Sequence, residues 1–449
     1  MNLKTRLVVN LTTIMHDLEN HLTSRRGFLK TSSTAALAGS LAVPLIFTPK
    51  SRAASPGDTL KVGLIGCGGR GSGAAGQALF ADSNVQLTAM GDAFADRLQG
   101  GLKNLRDAHG DKVKVTVDNS FVGWDAYQKV LASGVDVVIL APPPGFRPLH
   151  LKAAIDAGKH VFCEKPMAVD GPGVRSVLQS AAEAKRKNLS LVSGFCWRYN
   201  PVERELMKRI HDGDMGEPMT LYNTYNTGYL WSRPRQPNWT DMEWQMRNWY
   251  YFTWLSGDHI VEQAVHSLDK MSWAMKDVPP VQCVAHGGRQ VRTDPVYGHI
   301  FDHFSVVYEY ANGARGFHFS RQQANCASDN SDYLIGTKGV AKIKAFGPVS
   351  ISGDKAWRKG SREGVPDMYQ VEHNELFASI RNGTPLNNGE WMAQSTLLAI
   401  MGRMAAYTGQ VITWEQALNS TEELLPKNLA WDAPIDVPSI AMPGKTKFV

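Results

Sequence analysis

The chain carries five cysteines (Cys67, Cys163, Cys196, Cys283 and Cys326) but no C-x-x-C pair, and the number is odd. Thiols scattered in this way indicate neither a disulfide framework nor a zinc site. They are expected as small buried side chains. The chain also lacks an uninterrupted apolar run of the roughly 20 residues a membrane span requires. Its best candidate, Thr31 to Phe47, is weakly apolar, rich in small residues and broken by Pro44. A large charge of one sign is missing as well. The formal charge is +6, but residues 1–53 hold seven basic and two acidic residues, so the remainder is nearly neutral. No electrostatic case for nucleic acid follows. There is no H-E-x-x-H, no repeat and no low-complexity stretch. A length of 449 residues suggests two or three domains, at roughly 100–200 residues each.

What is present begins with Ser24-Arg25-Arg26-Gly27-Phe28-Leu29-Lys30 followed by the short apolar stretch. This is the pattern of a twin-arginine export signal. Ser51-Arg52-Ala53 offers a small-x-small cleavage site, which makes residues 1–53 a signal peptide and places the mature start near Ala54. Met15 is an alternative initiator, and retention as an uncleaved membrane anchor is the alternative fate. The expected location is the periplasm, with the twin-arginine translocation machinery as a partner.

The next signal is a glycine turn. Leu60 to Ile65 reads as a short apolar strand, and Gly66-x-Gly68-Gly69-Arg70-Gly71 follows at once, running into small residues suited to a helix. Strand before and helix after is the context a dinucleotide-binding turn requires. Gly66 permits the tight turn, Gly68 a close approach to pyrophosphate, and Gly71 close packing of helix on strand. Val85 to Met90 is the second strand, ending in Gly91-Asp92. Asp92 is placed to accept hydrogen bonds from an adenosine ribose, which favours NAD over NADP. Arg97, close enough for a phosphate contact, argues the other way. Strands at Val135–Ala141 and Lys159–Cys163 alternate with a helix over His150–Ala157, which predicts a doubly wound parallel sheet. Its strand ends carry the ligand, and Glu164-Lys165-Pro166 lies at one of them.

The glycine turn, Asp92, Ala157-Gly158-Lys159-His160-Val161, Glu164-Lys165-Pro166, Phe195-x-x-Arg198-Tyr199-Asn200-Pro201 and Met404-Ala405-Ala406-Tyr407-Thr408-Gly409 occur in one order. In that combination the chain resembles the Gfo/Idh/MocA oxidoreductases across nearly all of its mature length. That family includes glucose–fructose oxidoreductase, inositol dehydrogenase and the NAD-dependent glycosidases of glycoside hydrolase family 109. The resemblance implies an α/β fold: an N-terminal Rossmann domain (57–195), a C-terminal α+β domain with a large open, mostly antiparallel sheet (196–425), and a tail (426–449). It implies NAD, with Gly66, Gly68, Gly69, Arg70, Gly71, Asp92, Glu164 and Lys165 on the cofactor. It also implies a sugar substrate near Arg198 and Tyr199, and a homo-oligomer formed through the C-terminal sheet. The family's second motif is matched by His266 and Asp269, with Glu262 where Asp is usual and Ala264 for a glycine. The extra methylene of Glu262 bears on specificity more than on reaction type.

If residues 258–266 form one helix, Asp258, Glu262 and His266 share a face at i, i+4 and i+8. Two carboxylates beside an imidazole suit proton transfer. His259, Glu262 and His266 alone do not make a metal site. Lys165, partly desolvated at a strand terminus, can donate or shuttle a proton. The expected chemistry is oxidation of a sugar hydroxyl, with Lys165, His266 and Glu262 catalytic. His266 takes the proton and Lys165 steadies the alkoxide, or the two exchange roles. Asp258 is expected on the substrate. Eleven aromatics between Tyr222 and Trp254 include Trp231, a candidate for stacking on a sugar face. Trp231 or Trp239, and not the Trp249–Trp254 cluster, is expected exposed.

Export favours an enzyme that keeps its nicotinamide and returns the hydride within each cycle, either as a redox-assisted glycosidase or as a sugar–sugar oxidoreductase. The alternatives are a conventional sugar or polyol dehydrogenase with exchangeable cofactor, and a catalytically silent sugar-binding protein on the same fold.

Overall fold

The computed structural model describes Ser55 and residues 57–449; the leader and its cleavage site lie outside the described residues. Six parallel strands form the first sheet: β1 (Leu60–Ile65), β2 (Val85–Asp92), β3 (Ser120–Val122), β4 (Val137–Leu140), β5 (His160–Cys163) and β6 (Leu191–Ser193). Their order is β3-β2-β1-β4-β5-β6. β4 and β5 are buried on both faces, and their unbroken apolar runs have that cause. The order reverses between β1 and β4, so the crevice at their carboxyl ends is the expected ligand site.

Nine strands form the second sheet: β7 (Pro218–Thr227), β8 (Gln282–Gly288), β9 (His303–Glu309), β10 (Arg315–Gln322), β11 (Ser331–Gly336), β12 (Gly339–Lys344), β13 (Val349–Gly353), β14 (Trp357–Lys359) and β15 (Ile412–Thr413). The order is β14-β13-β12-β11-β7-β10-β9-β8-β15. Only β7 and β10 run parallel; every other pair is antiparallel. Asn312-Gly313 makes the β9–β10 hairpin, with Gly313 at φ +84°. β9 alternates between buried and partly exposed positions, which shows one covered face. The long helix Gly389–Thr408 and the helix Val265–Ala274 share its core cluster with Val306 and Tyr308.

One helix crosses the boundary drawn from sequence. Met368–Arg381, placed with the second domain by its position in the chain, packs Leu376, Phe377 and Ile380 into the cluster that holds Leu60, Val62 and Leu64 of β1. It completes the covering of the first sheet. Beyond Asn419 no helix or strand forms.

Candidate active site

β1 delivers the chain into the glycine turn. Gly66 sits at φ +92°, where a Cβ would strike the Ala141 carbonyl. A Cβ on Gly71 would run into the Gly66 carbonyl oxygen. Both positions are fixed by close backbone approach. Gly68 and Gly69 differ: nothing lies within 4 Å of a Cβ built on either, and both border a cavity of about 650 Å³. That volume falls in the range of ligand pockets, roughly 300–1,000 Å³. The helix Gly69–Ala81 opens here with no side-chain cap, leaving its first amides available to a phosphate. Asp92 borders the same cavity. Its Oδ2 accepts from the Cys67 amide at 2.7 Å and its Oδ1 from the Phe94 amide at 2.9 Å. Burial pushes this carboxyl above its usual range, against the pull of those two amides. A turn left open by two glycines, a free helix start and a carboxylate at the next strand end fit a dinucleotide.

Arg70 borders the cavity and links it to the charged cluster. Its guanidinium pairs with Glu164 and, at 3.1 Å, with Glu372. Burial alone would favour the neutral guanidine; the two carboxylates outweigh it and hold Arg70 charged. Glu164 therefore meets Arg70, packed against Gly194, and does not reach the cavity wall. Burial, then the charge of Glu164, push Glu372 well above the normal carboxyl range. Next in the chain, Lys165 donates from Nζ to the Glu262 carbonyl oxygen and to Glu262 Oε1 at 3.0 Å. Glu262 Oε2 accepts from Gln263 Nε2 at 2.7 Å, and Gln263 Oε1 accepts from Tyr225 Oη at 2.7 Å. His266 is half-buried, and its Nδ1 has no hydrogen-bond partner. Burial, then the charges of Lys165, Lys270 and Arg70, hold its pKa well below the usual imidazole value. The ring is neutral at neutral pH.

The single helical stripe expected over 258–266 does not form. One short helix spans His259–Glu262, and another begins at Val265. Asp258 caps the first from φ +79°, a strained setting for a non-glycine residue. Its carboxylate accepts from the His259 amide at 2.5 Å, the Phe301 amide at 2.8 Å and Tyr407 Oη at 2.5 Å. It is fully buried and holds backbone together, so it is not presented to a substrate. Arg198 is likewise buried, paired to Asp269 at 2.9 Å and Asp277 at 2.6 Å. Tyr199 donates to Asn388 at 2.5 Å from a buried position. These two tie helices together and leave no free polar edge for a sugar.

Trp231 is 42% exposed, as expected, and borders the dinucleotide cavity. Tyr250, Tyr251, Phe252 and Trp254 are buried in one apolar cluster, also as expected. Four cysteines are buried, and Cys326 is exposed against expectation because it sits on the loop between β10 and β11. Sequence reasoning missed Gln263, Tyr225, Glu372 and Leu429, the last of which borders the cavity. Glu372 and Leu429 carry no local signal, being some three hundred residues or more from the turn they approach.

Residues 60–192 match the oxidoreductase family with the NAD-binding Rossmann fold, and residues 204–342 match the GFO/IDH/MocA C-terminal domain. Inositol 2-dehydrogenase of Rhizobium meliloti is 25% identical over 326 residues, 72% of this chain and 86% of that protein. The aldose–aldose oxidoreductase of Caulobacter crescentus shares the fold, with a TM-score of 0.64 at 18% identity over 79% of this chain and 100% of that one. Levoglucosan dehydrogenase, solved with NADH and levoglucosan, has a TM-score of 0.63 at 18% identity over 79% of this chain and 99% of that one. With the glycine turn, Asp92 and the Lys165 cluster placed as described, the chain belongs to the Gfo/Idh/MocA family of NAD-binding oxidoreductases.

Proposed function

We propose that this protein is an exported oxidoreductase that works on a ring hydroxyl of a sugar or cyclic polyol and keeps its NAD between turnovers. The observation that carries the reading is the Lys165–Glu262 pair at 3.0 Å beside neutral His266, whose Nδ1 has no hydrogen-bond partner. When bound, NAD supplies the hydride acceptor. The glycine turn and Asp92 hold it. His266 takes the hydroxyl proton, Lys165 steadies the charge that develops on oxygen, and Glu262 fixes where Lys165 points. The similar proteins bear names of polyol and sugar enzymes, inositol 2-dehydrogenase and aldose–aldose oxidoreductase among them, which supports a polyhydroxylated substrate.

The leader motif Ser24–Lys30 supports passage through the twin-arginine machinery to the periplasm. Little free NAD is available there, so a retained cofactor and a closed redox cycle follow. That cycle would be a sugar–sugar oxidoreduction or a redox-assisted glycoside cleavage. The partly exposed outer face of the second sheet, with Met219, Val284, Tyr333 and Ile335, supports a homo-oligomer closed through that sheet.

The test is the dinucleotide content of protein recovered from the exported fraction. Bound NAD at near one per chain, with turnover needing no added cofactor, supports the reading. An empty protein that needs added NAD for every turnover makes it a conventional dehydrogenase. An empty protein that never takes up NAD removes the enzyme reading altogether.

A further inference from the structure

The tail expected over 426–449 is irregular, as is the whole chain past Asn419, but it is not loose. The Leu424 amide donates to Asp170 Oδ2 at 2.9 Å, and Gln245 Nε2 donates to the carbonyls of Ile435 and Asp436 at 3.5 and 3.4 Å. Between these two anchors, Leu429 borders the dinucleotide cavity. Trp431 lies on Trp124, ring centroids 4.5 Å apart at 37°, and on Phe94, 5.0 Å apart at 39°. Phe94 and Trp124 themselves border the cavity, at the side where Asp92 ends β2. Phe94 also carries the Arg247 guanidinium 4.0 Å from its ring centroid, and Arg247 reaches Asp96 at 3.2 Å.

Three stretches far apart in sequence therefore meet at one end of the groove. The ribose-side carboxylate Asp92 marks that end as the adenosine end. We infer that residues 424–436 are a strap that completes the dinucleotide site, with Trp431 seated on Phe94 and Trp124 to govern how fast the dinucleotide leaves. The inference rests on the retained-cofactor reading above and supplies its physical means. A dinucleotide escaping past this wall must part the tilted contacts of Trp431 with Trp124 and Phe94, which add to the cost of exposing their apolar area. Release is then slow even where binding from solution is ordinary, because differences among related complexes fall mainly in the dissociation rate.

The experiment uses the full mature chain loaded with NADH and chased with excess NAD, reading loss of NADH fluorescence in stopped flow. Trp431→Ala should release NADH at least about tenfold faster than the wild type. Ile440→Ala, on an exposed part of the same tail, should release it at the wild-type rate. Should Trp431→Ala fail to fold, Trp431→Leu keeps apolar bulk while removing the ring pair and should shift the rate in the same direction. A Trp431 variant, folded by circular dichroism, that releases NADH less than about threefold faster overturns the strap. So does an Ile440→Ala change as large as that of Trp431→Ala. The two readings fail separately. A wild type purified empty, whose Trp431 variant still loses added NADH tenfold faster, ends cofactor retention and keeps the strap. A wild type purified loaded, whose variant holds NADH equally long, does the reverse.

Discussion

The glycine turn and the Lys165 cluster stand on either side of Arg70, and they are built on opposite rules. The turn works by leaving atoms out. Gly66 and Gly71 admit neighbouring backbone, and Gly68 and Gly69 leave room for a ligand. The cluster works by crowding charge: Lys165 on Glu262, and Arg70 on Glu164 and Glu372. The difference teaches where each region is vulnerable. A methyl group breaks the first whatever its chemistry. Loss of a charge breaks the second with little change of shape, because it strands a buried partner.

The largest effect expected is on turnover. Lys165→Met should lower kcat by about 10²–10³, the usual worth of a group that stabilises charge developing on oxygen, while NADH binding followed by fluorescence stays within severalfold. Near-full kcat would remove Lys165 from the chemistry. On the other side of Arg70, Gly71→Ala should cost about 3 kcal/mol in urea unfolding, since helix and strand must move apart. Gly68→Ala has open space for its Cβ and should unfold like the wild type yet bind NADH about tenfold more weakly. Equal stability loss in both would erase the distinction between packing glycines and ligand glycines.

Acid separates the regions in a third way, because neutral buried imidazoles lie outside the glycine turn. Burial lowers His160 to about 4, and its Nδ1 accepts from the Ser190 amide at 2.9 Å. His299 is also lowered to about 4 by burial. A depressed folded pKa means the stabilisation is complete above about pH 6.5 and is lost as pH falls toward 4. At about pH 5 each imidazole should have removed roughly 2 kcal/mol, which thermal melts at stepped pH would register as a steady fall in Tm. A Tm unchanged between about pH 7 and 5 would contradict neutral burial. The smallest effect concerns Trp231. It is partly exposed, so Trp231→Ala should leave Tm within about 2 °C while weakening substrate or dinucleotide binding about fivefold. A large drop in Tm would instead make it a packing residue.

The first region was legible because its rule is local. A strand, a glycine spacing and a helix start lie within a dozen residues, and backbone sterics act at that range. β1 begins and ends where the apolar pattern does, and the Asn312-Gly313 hairpin forms where its φ demands it. Lys165, Glu262 and His266 were found by type, but their arrangement was not. The 3.6-residue spacing assumed one helix, and the chain breaks at Gln263–Ala264 after a strained Asp258 held by the His259 amide and by distant Phe301 and Tyr407. Arg198 and Tyr199 looked available in one dimension; their partners Asp269, Asp277 and Asn388 are supplied by tertiary packing. Glu372 and Leu429 had no sequence signal, since nothing local tells a helix or tail residue that it will face a turn near the other terminus.

The helix Met368–Arg381 packs on the first sheet, and Leu429 borders the groove. The nucleotide-binding half thus depends on segments some three hundred residues or more beyond its glycine turn. Neither half can be recombined or expressed alone without losing a wall. A dinucleotide can therefore be held fully only after both distant segments have folded onto the turn.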